Sequence, residues 1–170
     1  MRKGNYIGFF GGENVTKVSD TCFSNFFRTP ITITLKGGKE LRFTCSEQLF
    51  MWFKAKYFGD NVIADKIYRA GYNPKMYKRL GRQVRNYNDD KWNAARQKYM
   101  YVALKAKFKR PELHDYLLRT GDSILVEASP FDNIWACGLG IREDFDDEAK
   151  WTGQNLLGKT LMQLRAELDE

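Results

Sequence analysis

Residues 31–58 read ITITLKGGKELRFTCSEQLFMWFKAKYF, and within that stretch the apolar pattern changes from a period of two to one near 3.6. Ile31 to Leu35 alternates β-branched residues, Lys36-Gly-Gly-Lys39 supplies a turn, and Glu40 to Thr44 alternates again, which predicts a hairpin. Ser46 then predicts a capped helix over Glu47–Phe58, with Glu47 favourably placed in the positive first turn. That helix carries apolar residues nearly all round, a pattern that argues for burial.

The elements on either side extend the same reading. Upstream, Asn5–Phe10 is apolar and ends in Gly11-Gly12, as a strand would. Downstream, Asp60 predicts a cap for a helix over Asn61–Ala70, and Asn73-Pro74 supplies a cap and a first-turn proline before Lys75–Gln83. Asp89-Asp90 opens a long helix through Phe108, and Pro111 opens a short one through Arg119. Ser123–Ala128 returns to strand, residues 129–152 read as an extended loop, and Gln154–Leu168 predicts a closing helix. The expected class is α+β: a predominantly helical single domain over residues 1–170 with a small, mainly N-terminal β-sheet.

Composition narrows the chemistry. The 170 residues contain one histidine, His114, in a polar setting, and no Cys-x-x-Cys pair, so a zinc site and a Ser-His-Asp arrangement are both disfavoured. No phosphate loop or dinucleotide fingerprint is present, since Gly8-Phe-Phe-Gly-Gly12 is too short and irregular. Neither a metal nor a cofactor is implied. Cys22, Cys45 and Cys137 are odd in number and widely spaced, and read as free thiols. No apolar run approaches the roughly 18 residues that span a bilayer, and Met1–Asn5 has no apolar stretch behind it of signal-peptide type. The expectation is a cytoplasmic protein with no membrane partner. Charge is uneven: residues 66–110 hold 14 Lys and Arg against Asp89 and Asp90, a net of +12. Such a segment is a surface for phosphates or nucleic acid, or a solvated helical face.

What remains are carboxylates, lysine and aromatics. Glu47 and Lys54 share one stripe of the 47–58 helix, about two turns apart. They read as a polar pair in a wet pocket, or as a residue satisfying a helix start and a snorkelling lysine. Trp92 opens the long helix and either stacks on a ring or fills core. Asp132 and Trp135 follow a strand end and a Ser-Pro turn, a common place for site residues, though an Asx turn and core packing explain them equally.

Taken together, these segments resemble the NADAR (YbiA-like) family. The matching pieces are Phe23-Ser-Asn-Phe26, Ser46-Glu-Gln with Phe50 and Lys54-Ala55, and Leu80-Gly-Arg82. Trp92, Arg96, Met100, Ala103 and Lys107-Phe108 come next, followed by Thr120-Gly121 and Leu125-Val-Glu-Ala128. Asp132 with Trp135, then Gly153-Gln-Asn-Leu-Leu-Gly158 with Leu161-Met162 and Arg165, complete an ordered set from about residue 20 to 166. The resemblance implies an N-glycosidase without a cofactor. Its substrate would be a ribosylamino-pyrimidine intermediate of riboflavin synthesis, or ADP-ribosylated guanine in nucleic acid. It matches Glu47, Trp92, Asp132 and Trp135 to catalytic or pocket positions, and Lys54 to a family lysine.

The residue inventory suits that reaction. Breaking a C1′–N bond develops positive charge on the ribose, which one carboxylate stabilises or exploits by activating water while another group protonates the departing nitrogen. Glu47 is the candidate base or cation stabiliser, with Asp132 as its partner. Lys54 binds a phosphate or hydroxyl, or attacks C1′ if burial lowers its pKa. Trp92 and Trp135 would wall the pocket. Asn25 and Phe26 join them as binding candidates, and Arg28, Arg82, Gln154 and Asn155 are candidate phosphate or ribose contacts. Ala136 departs from the glycine usual after the tryptophan, and the acidic stretch 143–148 is expected near the pocket mouth. The competing readings are a non-catalytic ADP-ribose or nucleotide-binding module and a basic nucleic-acid-binding protein.

Overall fold

The computed structural model describes residues 1–169. Strands β1 (Arg2–Lys3), β2 (Tyr6–Phe9), β3 (Ile31–Thr34) and β4 (Glu40–Phe43) precede helices α1 (Ser46–Tyr57), α2 (Asn61–Arg69), α3 (Pro74–Gly81), α4 (Asp89–Lys107) and α5 (Pro111–Leu118). Strand β5 (Ile124–Glu127) and helix α6 (Leu156–Leu168) follow. The α+β class holds, but the strands divide into two sheets. The β3–β4 hairpin stands by itself, pairing Ile31 with Phe43 and Thr34 with Glu40. The other sheet has the order β1-β2-β5, and β5 returns to pair parallel with β2, from Tyr6 opposite Ile124 to Phe9 opposite Glu127. A parallel pair requires a crossover, and here the crossover contains the hairpin and five helices.

Asp60, Asn73 and Asn88 start their helices by local chemistry, whereas α1 starts by tertiary contact. The Asp60 carboxylate accepts from Ile63 N at 3.1 Å, and Asn73 Oδ1 accepts from Met76 N at 3.1 Å, each beginning its helix as the sequence predicts. Helix α1 differs. Its N-cap is Cys45, in extended conformation and with no side-chain cap bond. Ser46 lies inside the first turn and donates its hydroxyl to Asn25 Oδ1 at 2.8 Å, while the Asn25 carbonyl accepts from Glu47 N at 3.0 Å. A distant loop carbonyl thus satisfies an orphan amide that a cap side chain would otherwise take. Buried Gln48 completes the junction, accepting from Thr44 N at 2.8 Å and donating to the Ile67 carbonyl at 2.9 Å.

Two apolar clusters form the interior. One gathers Phe9, Phe23, Phe50, Leu104, Phe108, Leu125 and Leu161 around α4, α6 and β5; the other gathers Phe43, Leu49, Trp52, Ile67 and Tyr77 around α1 to α3. Met51 and Phe58 pack against both, so α1 is the shared wall. Gly158 lets α6 approach β5: a Cβ at that position would stand 2.0 Å from the Leu125 carbonyl oxygen. The three cysteines are free and buried. No described helix is long and apolar enough to cross a membrane.

Candidate functional site

The parallel strands β2 and β5 end together at Phe9 and Glu127, and a cleft of about 430 Å³ opens just beyond them. Crevices outside the carboxyl ends of parallel strands are frequent ligand sites, because the chain diverges there and leaves a gap between loops. Phe10 and Gly11 after β2, and Ser129, Phe131, Asp132 and Trp135 after β5, form one side. Asn25 and Phe26, Glu47, Phe50 and Met51 of α1, and Lys78 and Arg82 of α3 form the other.

Four carboxyl groups line this cleft: exposed Glu13, and Glu47, Glu127 and Asp132 deeper in. Glu47 is only partly exposed, and desolvation pushes its pKa up to about 7, helped by the Asp132 charge and opposed by Lys78 and Lys54. Glu127 is 8% exposed. Desolvation, then the charges of Asp132 and Glu47, push it up to about 8 against the pull of Lys78 and Lys107. Asp132 Oδ1 accepts from Ile134 N and Trp135 N, both at 2.8 Å. The Asx turn is therefore real, and it aims the aspartate rather than using it up, since Asp132 lines the cleft. Among the described residues no group of three His, Cys, Asp or Glu is arranged to hold a metal ion.

A second cleft, of about 690 Å³, adjoins the first across Phe50, Met51 and Trp135, which line both. It contains Lys54, Tyr87, Asp89, Trp92, Arg96 and Gln154. Lys54 lies here rather than beside Asp132. Its ammonium donates to the Gly81 carbonyl at 2.9 Å and sits 4.5 Å from the centre of the Tyr87 ring, and burial lowers its pKa. Trp92 is buried, tilted against Phe50 at 5.3 Å between ring centres and stacked on Tyr99 at 5.9 Å, so it is core that also backs the second cleft. Trp135 meets Phe50 edge-on at 5.2 Å and forms the partition. Arg96 lines the second cleft with a buried Nε that lacks a hydrogen-bond partner.

Several sequence-predicted contacts take other places. Asn155 is a structural residue: its side chain is buried, accepting from Glu127 N at 3.0 Å and donating to the Leu125 carbonyl at 2.9 Å. The amides leading into α6 are also engaged, Gln154 N with Asn133 O, Asn155 N with Ala136 O and Leu157 N with Trp135 O, which leaves no free amide cradle for an anion. Exposed Arg28 stacks on Tyr72 at 5.1 Å, outside both linings. The acidic stretch packs elsewhere, with Phe145 buried against Val126 and Ala128, and Asp146 paired to Lys3 at 3.2 Å. Asn25, Phe26 and Arg82 do line the first cleft, and Gln154 the second.

Sequence reasoning missed Lys78 and Glu127 as site residues. Lys78 sits 4.5 Å over the Phe26 ring, and it, rather than Lys54, is the lysine that shares the first cleft with Glu47. Its spacing of one turn from Arg82 was the available signal. Glu127 was visible as the polar residue ending an apolar strand.

A model of the NADAR domain matches residues 9–169. An N-glycosidase of Acanthamoeba polyphaga mimivirus is 37% identical over 169 residues, with 98% of each chain covered. The maize chloroplastic riboflavin biosynthesis protein PYRR is 44% identical over 156 residues, a match covering 86% of this chain and 23% of that protein. The NMR structure of the Escherichia coli protein YbiA superposes with a TM-score of 0.73 at 28% identity, covering 99% of this chain and 88% of the other.

Proposed function

The chain belongs to the NADAR family, and from that premise we propose that it is an N-glycosidase, hydrolysing the bond between ribose and an amino-pyrimidine nitrogen in riboflavin-pathway intermediates. The observation that carries this reading is the first cleft, where Glu47 and Glu127, both pushed up by desolvation, and Asp132 face aromatic walls and a lysine-arginine pair. Nothing in that inventory requires a metal or a redox group. Glu47, ionised in part near neutral pH, is the base that activates water and the anion that offsets charge on the ribose ring. Asp132, aimed by its two backbone bonds, supports the same charge. Lys78 and Arg82 are cationic partners for a substrate phosphate. Trp135 and Phe26 bracket planar surfaces. Lys54 lines the second cleft and serves binding there rather than attack on C1′, since the Gly81 carbonyl and the Tyr87 ring hold its amine away from the first cleft.

ADP-ribosylated guanine in nucleic acid is the second substrate class. The adjoining cleft favours it, because a substrate with two large moieties can occupy both sides of Trp135, and the +12 segment over residues 66–110 includes α3 at the cleft. The test is release of free base and ribose phosphate from a ribosylamino-pyrimidine phosphate, beside release of ADP-ribose from modified DNA across a salt series. Salt-dependent turnover of DNA would favour the second class. Binding of either without product release would refute the enzyme reading in favour of a binding module.

A further inference from the structure

We propose that Glu127 is the proton donor to the departing base nitrogen, a role that rests on the N-glycosidase reading above. Glu127 is the last residue of β5, held in register opposite Phe9. Its backbone is fixed on both sides: its N–H donates to Asn155 Oδ1 at 3.0 Å and its carbonyl accepts from Cys137 N at 2.9 Å. The side chain opens into the cleft that Glu47 and Asp132 also line. Among the described residues its carboxyl makes no hydrogen bond to a protein group, although it is 8% exposed. Its oxygens are not sealed in the protein interior but line the cleft, where a substrate nitrogen would supply a partner.

The surroundings assign the proton. Glu127 faces Asp132 and Cys137 from the loop after β5, Glu47 from α1, Lys78 from α3 and Lys107 from α4. Lys107 is itself buried, with its ammonium donating to the Ser24 carbonyl at 2.7 Å. Neighbouring carboxyls in a dry site do not all ionise together. Asp132 accepts two backbone N–H bonds, from Ile134 and Trp135. Glu47 has Lys78 and Lys54 to stabilise its charge and titrates near 7. Glu127 is pushed up to about 8, by desolvation first, which favours its protonated form at neutral pH. Carboxyls that share one dry site hold fewer charges than groups, which leaves a proton for an acid beside a base.

The step balances without a further reactant. The C1′–N bond breaks and its electron pair goes to nitrogen, which takes the proton from Glu127. Water loses a proton to Glu47 and its oxygen bonds to C1′. The proton on Glu47 exchanges through solvent and restores Glu127, so riboside and water become ribose and amine.

The test compares wild type with Glu127→Gln, an isosteric change that retains cleft volume. Wild-type kcat should fall as pH rises through about 8. The Gln variant should lose at least roughly 100-fold in kcat, keep KM within about threefold, and lack that alkaline limb. A Gln variant within tenfold of wild-type kcat, or one that keeps the limb, overturns the proposal; so does a wild type with no such limb. If the Gln variant fails to melt cooperatively, Glu127→Asp replaces it, with lowered kcat and a retained limb expected and an unchanged kcat overturning the assignment. A wild type that releases no base from either substrate would instead sink the N-glycosidase reading, before any variant is made.

Discussion

Replacing Glu47 by Gln should make the protein more stable at alkaline pH while removing its activity. The carboxyl titrates near 7 in the folded chain against 4.5 ordinarily. The folded state therefore holds the proton more tightly than the unfolded state does. Stability linked to this group is fully present below about 4.5 and declines as pH rises, until the folded form also ionises at about 7. Each pH unit between those values removes roughly 1.4 kcal/mol, so the full penalty above pH 7 is about 3 kcal/mol. Shared titration with Glu127 and solvent at the cleft mouth reduce it, and about 1–3 kcal/mol is the expected gain for the Gln variant at pH 8. For a chain of this length that is roughly 3–9 °C in Tm. The assay is thermal unfolding of wild type and Glu47→Gln at pH 4.5 and pH 8, with the activity assay run on the same preparations. A variant advantage that does not grow between the two pH values would refute the burial argument, and undiminished base release would refute the catalytic one.

Trp135→Ala should raise KM by tenfold or more with a smaller change in Tm, since this ring separates the two clefts; steady-state kinetics on the preferred substrate decides it. Lys78→Met should move the acid limb of kcat upward in pH, because Lys78 is the strongest charge favouring the Glu47 anion; an unmoved limb would place Lys78 outside the site. Asp60 is buried and holds Ile63 N, Arg85 N and the Arg85 guanidinium, which keep its carboxyl well below the usual range. Its contribution is present at neutral pH and lost as pH falls below about 4, so Asp60→Asn should cost about 2–4 kcal/mol in urea unfolding at pH 7 and less in acid. Gly158→Ala should cost about 2–4 kcal/mol despite alanine's better helix propensity, because the new methyl collides with the Leu125 carbonyl and the Asn155 side chain.

What the sequence disclosed and what it withheld divide along the range of the interactions involved. The hairpin, the Asp60 and Asn73 caps and the apolar stripe of α1 depend on neighbours within a few residues, and each was readable. Ser46 looked like a cap because its type and position suit one; a carbonyl at Asn25, 21 residues away, took that role. Asn155 looked like part of an open helix start, and only the return of β5 beside β2 reveals that its amide faces inward. Lys78 was one of 14 cations in a basic segment, marked only by its one-turn spacing from Arg82. Glu127 sat inside a recognised motif, but its place at the cleft depends on a parallel pairing across more than a hundred residues. Glu47, Asp132 and Trp135 were found because the ordered motif set names them, not because periodicity separates them from core and turn.

The Asn155 side chain has one further consequence. Among the described residues β5 has no paired strand on its outer side in the order β1-β2-β5. Asn155 offers that side one acceptor and one donor, meeting the N–H of Glu127 and the carbonyl of Leu125 as an adjacent strand would. That amide, together with Cys137 N on the Glu127 carbonyl, closes a strand edge, the kind of surface that otherwise recruits other chains into aggregates. Loss of that amide would leave the N–H of Glu127 and the carbonyl of Leu125 without their partner in a buried seam.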